Sequence, residues 1–171
     1  MLNRITRVTL IGLLLFLGIG AVIGAVAVIP TLPRAWLLNT PFPNYTVPAL
    51  ALGLIGLGAL VSAVLLMFRV DVGVVLSAAV GIAIAIFEIV EALVVGLGYW
   101  LHAFGLGPAP TAIAGADSVG ALLGIPIPLW LQPFYFILGV IIVALALRLH
   151  ARDVRNRSLT FGDVVQDHAP A

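Results

Sequence analysis

The stretch Gly73 to His102, GVVLSAAVGIAIAIFEIVEALVVGLGYWLH, decides how the chain is read. It is too long for a strand, lacks the period-2 alternation of a barrel segment, and carries only two charges that interrupt its apolar character, Glu88 and Glu91. A run of about 20 apolar residues is what a helix needs to cross a hydrocarbon core about 30 Å thick. The stretch therefore predicts a transmembrane helix with two acids in it.

The rest of the chain agrees with that reading. Hydrophobic residues make up 63% of the 171 positions and charged residues 9%, and the mean hydropathy is +1.25. Soluble domains are roughly half apolar and a quarter charged, and could not bury this much apolar surface. The predicted fold class is an all-α membrane protein, with four transmembrane helices in a bundle, both termini cytoplasmic and two outer loops. The spans are read at about Val8 to Ile29, Val47 to Phe68, Val72 to Leu101 and Leu129 to Leu149. They form one domain over residues 1–150, and residues 151–171 follow as a polar cytoplasmic tail that is expected to be mobile.

Proline placement supports these boundaries. Apart from Pro170 in the tail, the prolines lie in the loops Pro30 to Thr46 and His102 to Pro128 or at span edges, leaving the helix interiors free of breakers. The first span is read as a retained anchor. Ala25-Val26-Ala27 offers small residues for signal cleavage, but the apolar region exceeds the 7 to 15 residues of a signal peptide. A tight turn, Arg69-Val70-Asp71, is predicted between spans two and three.

Orientation follows from the arginines, the only strongly basic residues present. Arg4, Arg7, Arg69, Arg148, Arg152, Arg155 and Arg157 fall on one side of the predicted membrane and Arg34 alone on the other. The positive-inside rule makes the first side cytoplasmic. Trp36, Trp100, Trp130, Tyr45, Tyr99 and Tyr135 then lie near the outer boundary, in the position of an aromatic belt.

Helical geometry places the acids. At about 100° per residue, Ser77, Gly81, Ala85, Glu88 and Ala92 fall within an arc of about 80°, with Glu91 about 40° to one side. Stripes of small residues mark where membrane helices approach closely, so the acids are expected to face other helices rather than lipid. A charge within a span costs about 2.5 to 3.5 kcal/mol on insertion scales and marks a candidate functional site. Glu88 and Glu91 are thus read either as a proton- or cation-binding site or as structural groups, one neutral or hydrogen-bonded to a neighbouring helix and the other paired with Arg34, the one outer-side cation.

Other chemistries find less support. The chain has no cysteine, which excludes disulfides and thiolate metal sites. His102 and Asp117 could join the glutamates in a metal cluster, but no His pair has the i, i+4 spacing of a helical zinc site. No histidine falls inside a span, which argues against haem, and neither metal nor cofactor is expected. Phosphate-binding loops, nucleophile motifs and a nucleic-acid footprint are absent from the sequence, and no nucleic-acid partner is expected. Asn44-Tyr45-Thr46 fits a glycosylation sequon. Gly20-xxx-Gly24 and Gly58-xxx-Ser62 are read as packing within the monomer. Trp36-Leu37 with Pro41-Phe42 echoes Trp130-Leu131 with Pro133-Phe134, a short match that would relate the two helical hairpins as parallel repeats.

The segment Pro33 to Pro48, with Glu88-Ile89-Val90-Glu91 and Trp130-Leu131-Gln132-Pro133, resembles a group of uncharacterised small prokaryotic membrane proteins common in high-GC bacteria. That resemblance covers roughly Pro33 to Leu147. It implies four spans, a Thr-Pro-Phe-x-x-Tyr-x-x-Pro lead into span two, an acid in span three and a prokaryotic cell membrane location. It implies no activity, and the long second outer loop departs from the shorter pattern of the group.

Two functions are expected. One is a non-enzymatic accessory, assembly or structural membrane component, whose apolar loop Phe104 to Pro128 would lie on the bilayer, a membrane-protein partner or another copy. The other is a small oligomeric transporter or channel with Glu88 as its protonatable site.

Overall fold

The computed structural model describes residues 2–29, 43–95 and 131–166, and these are helical apart from turns and helix ends. Four α-helices follow one another: α1 (Leu2–Ile23), α2 (Thr46–Met67), α3 (Val72–Val95) and α4 (Leu131–Gln166). Four helical segments are long and apolar enough to cross a membrane: Arg4–Ala27, which runs past α1 into the turn that follows it, Thr46–Met67, Val72–Leu93 and Pro133–Arg152. The chain has the helices of a multi-pass membrane protein. No strand occurs among the described residues.

Local sequence explains where the helices begin and end. Pro48 and Pro133 occupy the first turns of α2 and α4, where a missing N–H breaks no intrahelical bond. Ahead of α2, the Asn44 carboxamide oxygen accepts a 3.0 Å hydrogen bond from the Thr46 N–H, satisfying one of the amides a helix start leaves open. The far end of α1 widens into a π-helical turn over Gly24–Val28, closed by the Ile29 N–H on the Gly24 carbonyl.

Between α2 and α3 the chain reverses at the predicted Arg69-Val70-Asp71 turn. The Val70 N–H reaches the Leu65 carbonyl at 2.9 Å and the Arg69 N–H the Leu66 carbonyl at 3.1 Å, the bond pair of a Schellman cap. Arg69 takes the left-handed position that usually holds glycine, at φ 59°. Gly73 makes the reversal possible. A Cβ there would lie 2.9 Å from the Leu65 Cβ and 3.0 Å from the Leu66 backbone nitrogen.

Helix α1 packs on α2, α2 on α3, α3 on α4, and α4 back on α1. Neighbours run antiparallel. Gly18 meets Gly56 and Leu60 while Gly24 meets Leu52, so α1 and α2 run in opposite directions, and Gly81 facing Val143 while Ile84 faces Gly139 does the same for α3 and α4. Both termini of the described chain and the Arg69 turn therefore lie at one end, called here the terminal end. The starts of α2 and α4 lie at the other, the loop end.

Each hairpin closes on a pair of glycines. Where α1 crosses α2, a Cβ on Gly18 or Gly56 would stand 3.0 Å from the other's carbonyl oxygen, and Gly81 and Gly139 repeat the arrangement between α3 and α4. Such contacts let membrane helices gain dispersion energy along their backbones in place of a hydrophobic effect that lipid does not supply. The core beside them is leucine, isoleucine, valine and alanine: Leu10, Leu14, Leu17, Ala59, Ala63, Leu66, Val74, Val80, Ile84, Leu138, Ile142, Ala146 and Leu149.

Two sequence expectations differ from the structure. Helix α1 starts at Leu2 rather than near Val8, so Arg4 and Arg7 ride on its first turns. The tail expected to be mobile is helical as far as Gln166, since no proline or glycine between Leu149 and Phe161 stops α4. Arg34, His102, Asp117 and the outer loop Phe104 to Pro128 lie outside the described residues.

Candidate functional site

The small-residue stripe of α3 faces its neighbours, as the helical wheel requires. Ser77, Gly81 and Ala92 are buried and Ala85 is half-buried. Glu88 lies on the same stripe and is only 3% exposed. It is 16 residues beyond Val72, about 24 Å along the helix, and sits toward the loop end.

The polar groups on this face differ in how they are satisfied. The Ser62 hydroxyl donates to the Gly58 carbonyl at 2.7 Å and the Ser77 hydroxyl donates to the Gly73 carbonyl. Both hydroxyl donors are used within their own helices, as is common for Ser in apolar surroundings. Glu88 is another matter. Its Oε2 is buried with no hydrogen-bond partner among the described residues, in an environment where an unmatched polar atom costs about 1–3 kcal/mol.

Two groups share an electrostatic neighbourhood with this carboxyl. Tyr135, in the first turns of α4, stands level with Glu88, because Gly139 meets Ile84 and, on these antiparallel helices, Tyr135 and Glu88 each lie four residues nearer the loop end. Its ring packs edge-on to Phe134, with centroids 5.5 Å apart, and Phe134 in turn meets Phe16 of α1 at 5.9 Å. The Tyr135 hydroxyl rests on α1 at Gly20, 2.9 Å from where a Cβ on that glycine would stand. A larger residue there would require the hydroxyl to shift. Glu88 of α3, Tyr135 of α4 and Gly20 of α1 thus mark one junction of three helices.

Glu91, the second neighbour, stands one turn nearer the loop end and is half-buried. Its charge acts on Glu88 and on Tyr45, which precedes α2 and is also half-buried. Partial burial, and secondarily the negative charge of Glu91, push the Tyr45 phenol above its ordinary value of 10.0. The two predicted acids therefore occupy different surroundings, Glu88 with Tyr135 inside and Glu91 with Tyr45 nearer the loop end. The predicted third member, Arg34, falls outside the described residues, so the ion pair has no geometry to report.

Tyr45, Tyr135 and Gly20 were not among the site residues expected from sequence. The aromatic-belt reading assigns both tyrosines to the headgroup layer, whereas Tyr135 turns inward onto Gly20. The signal that could have found it is the coincidence of depth between a Tyr early in one span and a Gly late in another. Among the described residues, no group of three or more His, Asp or Glu stands close enough to hold a metal ion. Gly20 and Gly24, read as packing within the monomer, both meet neighbouring helices of the chain, Gly20 at Tyr135 of α4 and Gly24 at Leu52 of α2. Comparison with known protein families, curated proteins and solved structures finds no match to this chain.

Proposed function

We propose that this is a non-enzymatic, multi-pass protein of a prokaryotic cell membrane, a four-helix bundle with both termini cytoplasmic, working as a small oligomeric transporter or channel with Glu88 as its protonatable group. The observation that carries the reading is the buried Glu88 Oε2 with no hydrogen-bond partner among the described residues. A strut formed among the described helices would engage that oxygen. A group that takes up and releases a proton holds it in reserve.

The orientation is supported by charge. Arg4, Arg7, Arg69, Arg148, Arg152 and Arg155 gather at the terminal end, the distribution expected of a cytoplasmic face. Glu88 then lies in the outer half of the bilayer.

A second reading, that of an accessory or assembly component, is favoured by the glycine crossings, which lock both hairpins into close contact. Proteoliposome flux separates the two. Glu88→Gln abolishes proton-linked flux while leaving the folded protein intact if Glu88 is the working group. A Glu88→Gln and a Glu91→Gln protein that differ from the parent only in thermal stability would sink the transport reading, and a stable larger assembly co-purifying in mild detergent would favour the accessory one. A double-mutant cycle between Arg34 and Glu91 tests the strut directly.

A further inference from the structure

The junction that holds Glu88 is not symmetric along the membrane normal. Toward the terminal end, the core below it is mostly aliphatic: Ile84, Ile142, Val80, Ala146, Leu149, Leu14 and Leu10 are all buried. The glycine crossing of Gly81 on Gly139 closes α3 against α4 directly beneath. The buried serine hydroxyls in that half, Ser62 and Ser77, donate to their own helices. No described polar side chain leads from the terminal end to Glu88, since the remaining buried one, Thr6, stands near the start of α1.

Toward the loop end the surroundings change within one turn. Glu91 and Tyr45 are half-buried, polar, and electrostatically joined to each other and, through Glu91, to Glu88. From α4 the one titratable group facing Glu88 is Tyr135. From α1 the neighbour is Gly20, with no titratable side chain, as Arg4 and Arg7 sit at the opposite end. Within α2 there is no titratable residue at all, and Tyr45 just before it is the group on that side.

We propose that Glu88 and the Tyr135 hydroxyl form one proton-binding site with a single mouth at the loop end, where Glu91 and Tyr45 stand. The proposal rests on the reading of Glu88 as the working carboxyl and adds the site's second member and its sidedness. Gly20 serves it as a clearance residue, letting the Tyr135 hydroxyl reach the junction. In the arrangement described a proton arrives past Glu91, binds at the carboxyl beside Tyr135 and returns the same way, because no chain of described polar side chains continues into the half below. The flux of the proposed function then requires a second arrangement of the helices that opens that half. In this arrangement a single copy binds protons without leaking them.

The test uses the full chain in sealed vesicles sorted for one orientation, with dicyclohexylcarbodiimide as the probe. The reagent dissolves in the bilayer and adds to a protonated carboxyl, whose O–H adds across a C=N bond to give an adduct that mass spectrometry locates. With the two bulk phases buffered separately, labelling of Glu88 is expected to fall about tenfold for each pH unit on the loop side above the midpoint. Changes on the terminal side leave it unaltered. Tyr135→Phe displaces that midpoint, and Glu88→Gln removes the adduct. Labelling that follows the terminal-side pH, or both sides equally, overturns the single mouth while leaving the proposed function standing. A Tyr135→Phe protein with an unmoved midpoint removes Tyr135 from the site. Absence of any Glu88 adduct at every pH, in protein shown to be folded by its melting transition, overturns this proposal and the proposed function together.

Discussion

Gly81 and Gly139 stand back to back where α3 crosses α4. A Cβ on Gly81 would lie 2.8 Å from the Gly139 carbonyl oxygen, and one on Gly139 2.7 Å from the Gly81 carbonyl oxygen. Real Cβ atoms do not approach backbone oxygens so closely, and neither helix can yield without losing the contact along its length. Gly81→Ala and Gly139→Ala are each expected to destabilise the fold by about 1–3 kcal/mol, the usual range for overpacking. Gly12→Ala is the control, because a Cβ there meets nothing within 4 Å. It is expected to be neutral or slightly stabilising through helix propensity. Unfolding in detergent micelles measures all three, and equal stabilities would mean that the helices do not cross at these glycines.

Replacing Glu88 by a residue of similar length and no charge tests what its orphaned oxygen implies. Glu88→Met removes a buried polar atom that lacks a hydrogen-bond partner among the described residues, and is expected to raise unfolding stability by about 1–3 kcal/mol. Under the proposed function it is also expected to abolish proton-linked flux. A gain in stability with a loss of activity is the signature of a group retained for work rather than for folding. Destabilisation by Glu88→Met would instead reveal a structural partner.

Tyr45 gives a pH dependence whose sign can be worked out. Its phenol is pushed above 10.0 by partial burial and then by Glu91, so the folded chain prefers the neutral phenol more than the unfolded chain does. That contribution is complete below 10.0, the unfolded value, and is lost as pH climbs through the raised folded-state value. Tyrosinate absorbance, with Tyr45→Phe as the difference reference, is expected to show Tyr45 titrating late. In Glu91→Gln it titrates earlier, though still above the ordinary value because burial remains. An unmoved midpoint in Glu91→Gln would place the Glu91 carboxylate away from the phenol.

Much of the architecture could be read in the sequence because bilayer thickness is a strong constraint. Span two was expected at Val47 to Phe68 and is found as Thr46–Met67, and the Ser77-Gly81-Glu88-Ala92 face is buried as the helical repeat requires. Helix ends past the membrane were less legible. Composition marks Arg148 onward as polar, but polarity alone does not end a helix, and α4 runs on to Gln166. The acids could be found from one helix alone. Their neighbours could not, because which face of α4 meets α3 depends on packing, and an aromatic residue near a span edge reads equally as a headgroup anchor or as Tyr135 turned onto Gly20.

Arg69→Gly is expected to relieve the left-handed backbone at the α2–α3 reversal, where Arg69 has φ 59°. Non-glycine residues in that region carry about 1 kcal/mol of strain or more, so the glycine variant should melt higher in detergent. An unchanged or lower melting temperature would show that the side chain compensates locally.

That strain has a consequence for how deep the protein sits. Phe68, Arg69, Val70 and Asp71 leave no slack between two apolar helices, so the guanidinium cannot be carried far from the plane where α2 ends and α3 begins. A charge confined there rests among the lipid headgroups, since the hydrocarbon would have to accommodate it unpaired. The bend thereby works as a depth gauge. With Glu88 17 residues along a straight helix from Asp71, it holds the carboxyl about 25 Å from the headgroups at the terminal end. Glycine at the bend would ease the backbone and remove the float that keeps Glu88 at its level.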